Sequence, residues 1–184
     1  MKRINFTKLL TIFSLISFIL SNECDELLEK PHDCEFYSKC LEEKFKCGSK
    51  GYPIGYGYKY CLRFLDKFDI FPEEGKLWVD NVLVCLKESL KTTYNDNNAV
   101  CNDIFNIAFD SHPRCYVDNG FCKLLITSPF RFPSALFRVY QLKDFARKKS
   151  IQQVLKTIRM CNKFMNEGGI LYDPLKYVEL LDEY

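Results

Sequence analysis

Apolar residues along most of this 184-residue chain return at steps of three and four, the spacing of one helix face. In "EEGKLWVDNVLVCLKESLKTTY", Val79, Val82, Leu83, Leu86 and Leu90 keep that step, while Trp78 and Cys85 widen the stripe. A stripe that wide predicts a central, well-buried helix. "CNDIFNIAF" repeats the step with Cys101, Ile104, Phe105 and Ala108, and "SIQQVLKTIRMCNKFM" with Ile151, Val154, Leu155, Ile158, Cys161 and Met165, Ser150 standing as its N-cap. "HDCEFYSKCLEEKFKC" and "YCLRFLDKF" read as shorter helices. Strand signals are poor: "FCKLLITSPFRFP" alternates, but Pro129 and Pro133 interrupt it and predict a connecting segment. "YNDNNAV" marks a polar turn, and the tail breaks at Gly168 and Gly169 before a short acidic helix after Pro174. The pattern predicts one all-α domain over residues 22–166, followed by a C-terminal tail, 167–184.

One stretch has no such period. "CGSKGYPIGYGYKYC", from Cys47 to Cys61, holds four glycines and four tyrosines. The plain expectation is a glycine-permitted turn that delivers Tyr60 and Cys61 into a helix. The functional expectation is an exposed contact loop in which Tyr52, Tyr56 and Tyr58 meet a partner, since tyrosine is enriched at binding surfaces. Gly51, Gly55 and Gly57 form no dinucleotide fingerprint, because no strand precedes them and the spacing is wrong.

The N-terminus sets the compartment. Lys2 and Arg3 precede the apolar run "LLTIFSLISFIL" and small Ser21, which predicts a secretory signal peptide over residues 1–21. The run is too short to span a bilayer, and nothing apolar enough to do so follows it. Loss of Lys2, Arg3 and Lys8 brings the 26 basic residues just below the 24 acidic ones, so net charge argues for no nucleic-acid partner. All 10 cysteines lie in the secreted part, an even count that predicts five disulfides. Ten cysteines allow about 945 pairings, so spacing alone selects none. A zinc site lacks support: no Cys-x-x-Cys pair occurs, and His32 and His112 are far apart. Neither a metal nor any other cofactor is expected.

Charge is uneven along the chain. From Arg131 to Lys163 there are nine basic residues and one acidic, Asp144, whereas Glu23 to Lys46 holds eight acidic and four basic. This predicts a basic surface carried by Arg147, Lys148, Lys149 and Lys156, suited to an acidic partner protein or a sulfated glycan. "SHPRCY" and "YGYKYC" resemble pieces of secreted phospholipase A2, but that mechanism needs an aspartate beside the histidine, and Pro113 follows His112. Ser111 instead reads as the cap of a short helix begun by Pro113. A calcium-dependent hydrolase is thus the alternative function, and a structural secreted protein another.

The cysteine intervals carry a second resemblance. Steps of 24, 16, 14 and 7 lead from Cys61 through Cys85, Cys101 and Cys115 to Cys122. This series resembles that of the stanniocalcins, secreted helical hormones, as do "YCLRFLDKFDIFPEEGKLWVDNVLVCLKESL" and the Cys115-Tyr116 pair in "CNDIFNIAFDSHPRCYVDNGFC". The resemblance implies a disulfide-stapled helical bundle with bridges Cys24–Cys40, Cys34–Cys61, Cys47–Cys101, Cys85–Cys115 and Cys122–Cys161. It implies a secreted, extracellular, non-enzymatic signal or binding protein, linked to calcium and phosphate balance or to inhibition of a secreted protease, with a receptor or protease as partner. The family's further cysteine, which joins two subunits, has no counterpart after Cys161, so no covalent homodimer is expected and a noncovalent dimer stays open. The lone glycosylation sequon, Asn5-Phe6-Thr7, falls within the signal peptide.

Overall fold

The computed structural model describes residues 23–141 and 148–167. The signal peptide, the acidic helix after Pro174 and Arg147 lie outside the described residues, as does the side chain of Lys148. Among the described residues the chain is all α-helical with no strand. Helix α1 (residues 23–29) leads to α2, which is π-helical over Phe36–Glu42 and α-helical over Glu43–Phe45, and to α3, π-helical over Pro53–Tyr58 and α-helical over Lys59–Asp66. After a 3₁₀ turn at Phe68–Ile70 come α4 (Glu73–Glu88), α5 (Lys91–Asn95), α6 (Cys101–Asp118), α7 (Phe121–Thr127), α8 (Arg131–Val139) and α9 (Lys148–Glu167).

Helix α4 is central, as its broad stripe predicts. Pro72 precedes it in extended geometry, and Glu73 and Glu74 place negative charge at its positive end. Trp78, Val79, Val82 and Leu83 are buried, and the Trp78 indole donates to the Tyr116 carbonyl at 3.2 Å. Around Trp78 stand Phe132, edge-on at 5.1 Å, Tyr116 at 5.4 Å and Phe121 at 5.7 Å. On the other side of α4 the Lys87 stem is wholly buried. Its ammonium donates to the carbonyls of Leu27 (2.6 Å), Lys30 (2.5 Å) and Asp33 (3.0 Å), which closes the C-terminal end of α1.

Five disulfides tie these elements: Cys24–Cys40 joins α1 to α2, Cys34–Cys61 reaches α3, Cys47–Cys101 reaches α6, Cys85–Cys115 joins α4 to α6, and Cys122–Cys161 joins α7 to α9. These are the same pairs that the stanniocalcin resemblance implies. The described fold is therefore a disulfide-stapled helical bundle. Five bridges of this kind need an oxidising compartment, and no described helix is long and apolar enough to cross a membrane.

Several local expectations are corrected. Phe121–Pro133 is no connector: it forms α7 and the start of α8, with only Ser128–Phe130 between them. Pro133 sits in the first turn of α8, where a helix needs no intrahelical N–H donor, so the proline that forbids a strand is compatible with a helix. Nor does Ser111 cap a new helix at Pro113, since α6 runs unbroken from Cys101 to Asp118. Ser111 Oγ donates to the Ala108 carbonyl at 2.8 Å, inside the helix. Gly120, at φ +98°, ends this segment in the left-handed geometry that glycine tolerates. Ser150 is likewise a buried third residue of α9 and not its cap.

Candidate interaction surface

The tyrosine stretch is core and not a contact loop. Only the residues up to Gly51 form a connection; Pro53 fits the first turn of α3, and the chain is helical from there through Cys61. Tyr52 and Tyr56 are buried, 3% and 8% exposed, and stacked on each other with ring centroids 6.2 Å apart. Both stand edge-on to Phe109 of α6, at 5.8 Å and 5.3 Å. Tyr58 is half-buried. The physical reason is a close crossing of the two π-helical segments: a Cβ added to Gly57 would lie 2.3 Å from Tyr37 Cδ1 and 2.5 Å from Cε1. Glycine is needed there for backbone approach.

His112 belongs to the same aromatic interior. Its Nδ1 donates to the Ala108 carbonyl at 2.5 Å, and its ring stacks on Phe109 at 5.6 Å with Tyr116 edge-on at 5.6 Å. Burial pushes the imidazole down to about 4, against a weaker upward pull from the Ala108 carbonyl, so it is neutral at physiological pH. Beside it lies a small cavity of about 50 Å³ among Tyr52, Tyr56, Tyr116 and Tyr140, room for little more than water. The Tyr116 and Tyr140 hydroxyls share a hydrogen bond of 2.5 Å. Among the described residues no group of three or more His, Cys, Asp or Glu could hold a metal ion.

Of the four residues expected to carry a basic surface, the side chains of Lys149 and Lys156 are described. Lys149 is drawn to Asp110 of α6 at 3.4 Å, which offsets part of its charge. Lys156 is exposed, and with Lys149 it borders a shallow hollow that also includes Gln152 and Pro113. Arg159 is exposed one turn further along α9.

What the sequence pattern did not place is the apolar face of α9. Ile151, Val154, Leu155 and Ile158 are exposed, while Ser150, Thr157 and Cys161 are buried. Small residues let α9 lie close to α6, and the Cys122–Cys161 bridge holds it in that rotation. Its outward side then forms one wall of an apolar groove of about 280 Å³ whose other walls include Phe121 and Leu125 of α7 and Leu136 and Phe137 of α8. Phe137 is 74% exposed and Ile158 51%. The three-and-four step of Val154 and Ile158 marks a shared face without saying what covers it; Phe137 carries no signal beyond its place among apolar neighbours. Compared with family models, curated proteins and solved structures, the chain matches none.

Proposed function

We propose that this is a secreted, stanniocalcin-like extracellular signalling or binding protein that works through surface contacts. The observation that carries the reading is the bridge pattern: five pairs, among about 945 arrangements of ten cysteines, coincide with the pairing the resemblance implies. The exposed apolar wall of α8 and α9 supports it, because soluble chains seldom leave such a patch uncovered without a binding role. Its partner is then a receptor or a secreted protease, and its effect is on calcium and phosphate balance or on proteolysis outside the cell.

Labelled, oxidised chain is the reagent for the test. Saturable binding to the surface of cells from the source organism, displaced by unlabelled chain and lost after reduction, is the expected result. Binding that rises linearly with concentration and survives reduction refutes the proposal.

A further inference from the structure

We infer that the hollow between α8 and the 3₁₀ turn at Phe68–Ile70 binds the sulfate groups of a sulfated glycan, a deepening that rests on the extracellular contact function proposed above. Ile70, Arg131, Ser134, Ala135 and Arg138 line this hollow of about 160 Å³. Arg131, Ser134 and Arg138 share one face of α8, at i, i+3 and i+7. A water takes about 30 Å³ of liquid volume, so the hollow has room for an oxyanion group. No carboxylate lines it. Both arginines are exposed, and among the described residues neither has an ion-pair partner. Other cations of the chain are engaged: Arg114 pairs with Asp118 at 3.2 Å, Lys149 with Asp110 at 3.4 Å, and Arg63 donates to the Arg138 and Val139 carbonyls.

Stability does not account for the pair. Arg131 stands in the first turn of α8, where positive charge opposes the helix dipole. Arg138 is in the last turn, but the carbonyls there already have Arg63 as their donor. What the pair offers is a fit to a ligand: each guanidinium presents parallel N–H donors that match the edge of a sulfate, phosphate or carboxylate. The two arms leave the helix about 10.5 Å apart along its axis, so an anion repeated along a chain engages both at once, with the Ser134 hydroxyl between them. The rest of the lining selects among such chains. It holds no aromatic residue and only Ile70 and Ala135 as apolar groups, so a protein segment finds no pocket for an anchoring side chain. The five disulfides need an oxidising compartment, and outside the cell the repeating polyanion is the sulfated glycan.

The probe is a fluorescent heparin hexasaccharide, alongside its desulfated form and a poly-glutamate peptide of similar length. Anisotropy titration against the oxidised chain at about 0.15 M salt is expected to saturate with the hexasaccharide and to weaken as salt rises. Arg131→Gln with Arg138→Gln should weaken binding by about tenfold or more. Arg131→Lys with Arg138→Lys keeps the charge, loses the fork and is also expected to bind more weakly than the parent. Lys149→Gln with Lys156→Gln should bind like the parent. The two arginines are exposed and without ion-pair partners, so their variants are expected to keep the parent melting temperature. Equal binding of the desulfated form, tighter binding of poly-glutamate, or parent-like binding by either arginine variant overturns the inference. So does an equal loss in the lysine variant, which would show a diffuse basic surface, or displacement by inorganic phosphate at the hexasaccharide's own concentration, which would show a single-ion site. A hexasaccharide that fails to bind, beside saturable cell-surface binding of the chain, removes this site and leaves the proposed function standing; failure of both refutes both.

Discussion

Replacing Gly57 with alanine isolates the contact on which the N-terminal half turns. The new Cβ would stand 2.3 Å from Tyr37 Cδ1, 2.5 Å from Cε1 and 2.9 Å from Cγ, where carbon atoms settle at about 3.5–4.0 Å. Relief needs a shift of about 1 Å or more by the ring or by one helix. The ring is not free to swing: Tyr37 is 2% exposed, with Phe36 and Tyr52 edge-on at 6.0 Å and 6.4 Å. The backbones are held by Cys24–Cys40 on α2 and Cys34–Cys61 on α3. Overpacking of this kind costs about 1–3 kcal/mol and sometimes more, against a gain of up to about 1 kcal/mol from alanine's better helix propensity. Because the atom struck is a buried ring flanked by two staples, the upper part of that range applies.

A net loss of about 2 kcal/mol lowers the melting temperature of a domain this size by about 4–8 °C. The assay is thermal and urea unfolding of the oxidised chain, with the cycle completed by Tyr37→Ala and the double variant. In the Tyr37→Ala background the ring is gone, and Gly57→Ala should become neutral or stabilising, which gives a coupling of about 2 kcal/mol. A Gly57→Ala variant as stable as its parent would show that α2 and α3 do not cross at this point. An equal loss in both backgrounds would place the clash elsewhere.

Other perturbations test the remaining joints. Lys87→Met keeps the stem but leaves the carbonyls of Leu27, Lys30 and Asp33 without their donor, and is expected to lose about 1–3 kcal/mol in urea unfolding; no change would mean the end of α1 does not rely on it. His112 is held below its ordinary value of 6.5, at about 4, so the unfolded chain binds the proton first. Its contribution is complete above pH 6.5 and is lost as pH falls towards about 4, and His112→Phe should flatten that part of the stability profile. Paired Cys122→Ser and Cys161→Ser changes open a loop of sequence separation 39, worth about 4 kcal/mol by chain entropy, and should raise hydrogen exchange in α9 first. Non-reducing peptide maps should yield no fragment joining Cys47 directly to Cys61.

The parts of the fold legible in the sequence are those where one face is apolar and the other polar. Helix α4 was predicted from Val79, Val82, Leu83 and Leu86 because these residues can be buried in only one rotation, and they are buried. Phe121–Pro133 was read as a connector because proline was weighed against a strand, when its position in a first helical turn removes the objection. Pro113 misled in the opposite sense. It suggested a helix start at Ser111, yet packing of Phe109, Pro113 and Tyr116 carries α6 through the missing N–H. The tyrosine stretch failed for a related reason: four glycines signal a turn by composition, and only the tertiary crossing at Tyr37 shows that Gly57 serves contact between helices.

Helix α9 shows why periodicity alone does not locate a site. A three-and-four repeat states that apolar side chains share a face, and nothing in it states what covers that face. Two kinds of residue compete for the inward position in α9: the Ile151, Val154, Leu155 and Ile158 stripe, and the smaller Ser150, Thr157 and Cys161. Burying the stripe would gain more from water, at about 25 cal/mol per Å² of apolar surface. The bridge to Cys122 decides otherwise, because Cys161 must face α7, and residues 150 and 157 lie near the same side at helical spacing. The covalent link thus overrides the hydrophobic preference of a single helix and leaves its apolar stripe outward, beside Phe137. An apolar face exposed in this way carries a cost in water, so the pairing of one disulfide bears directly on where the described chain shows apolar surface.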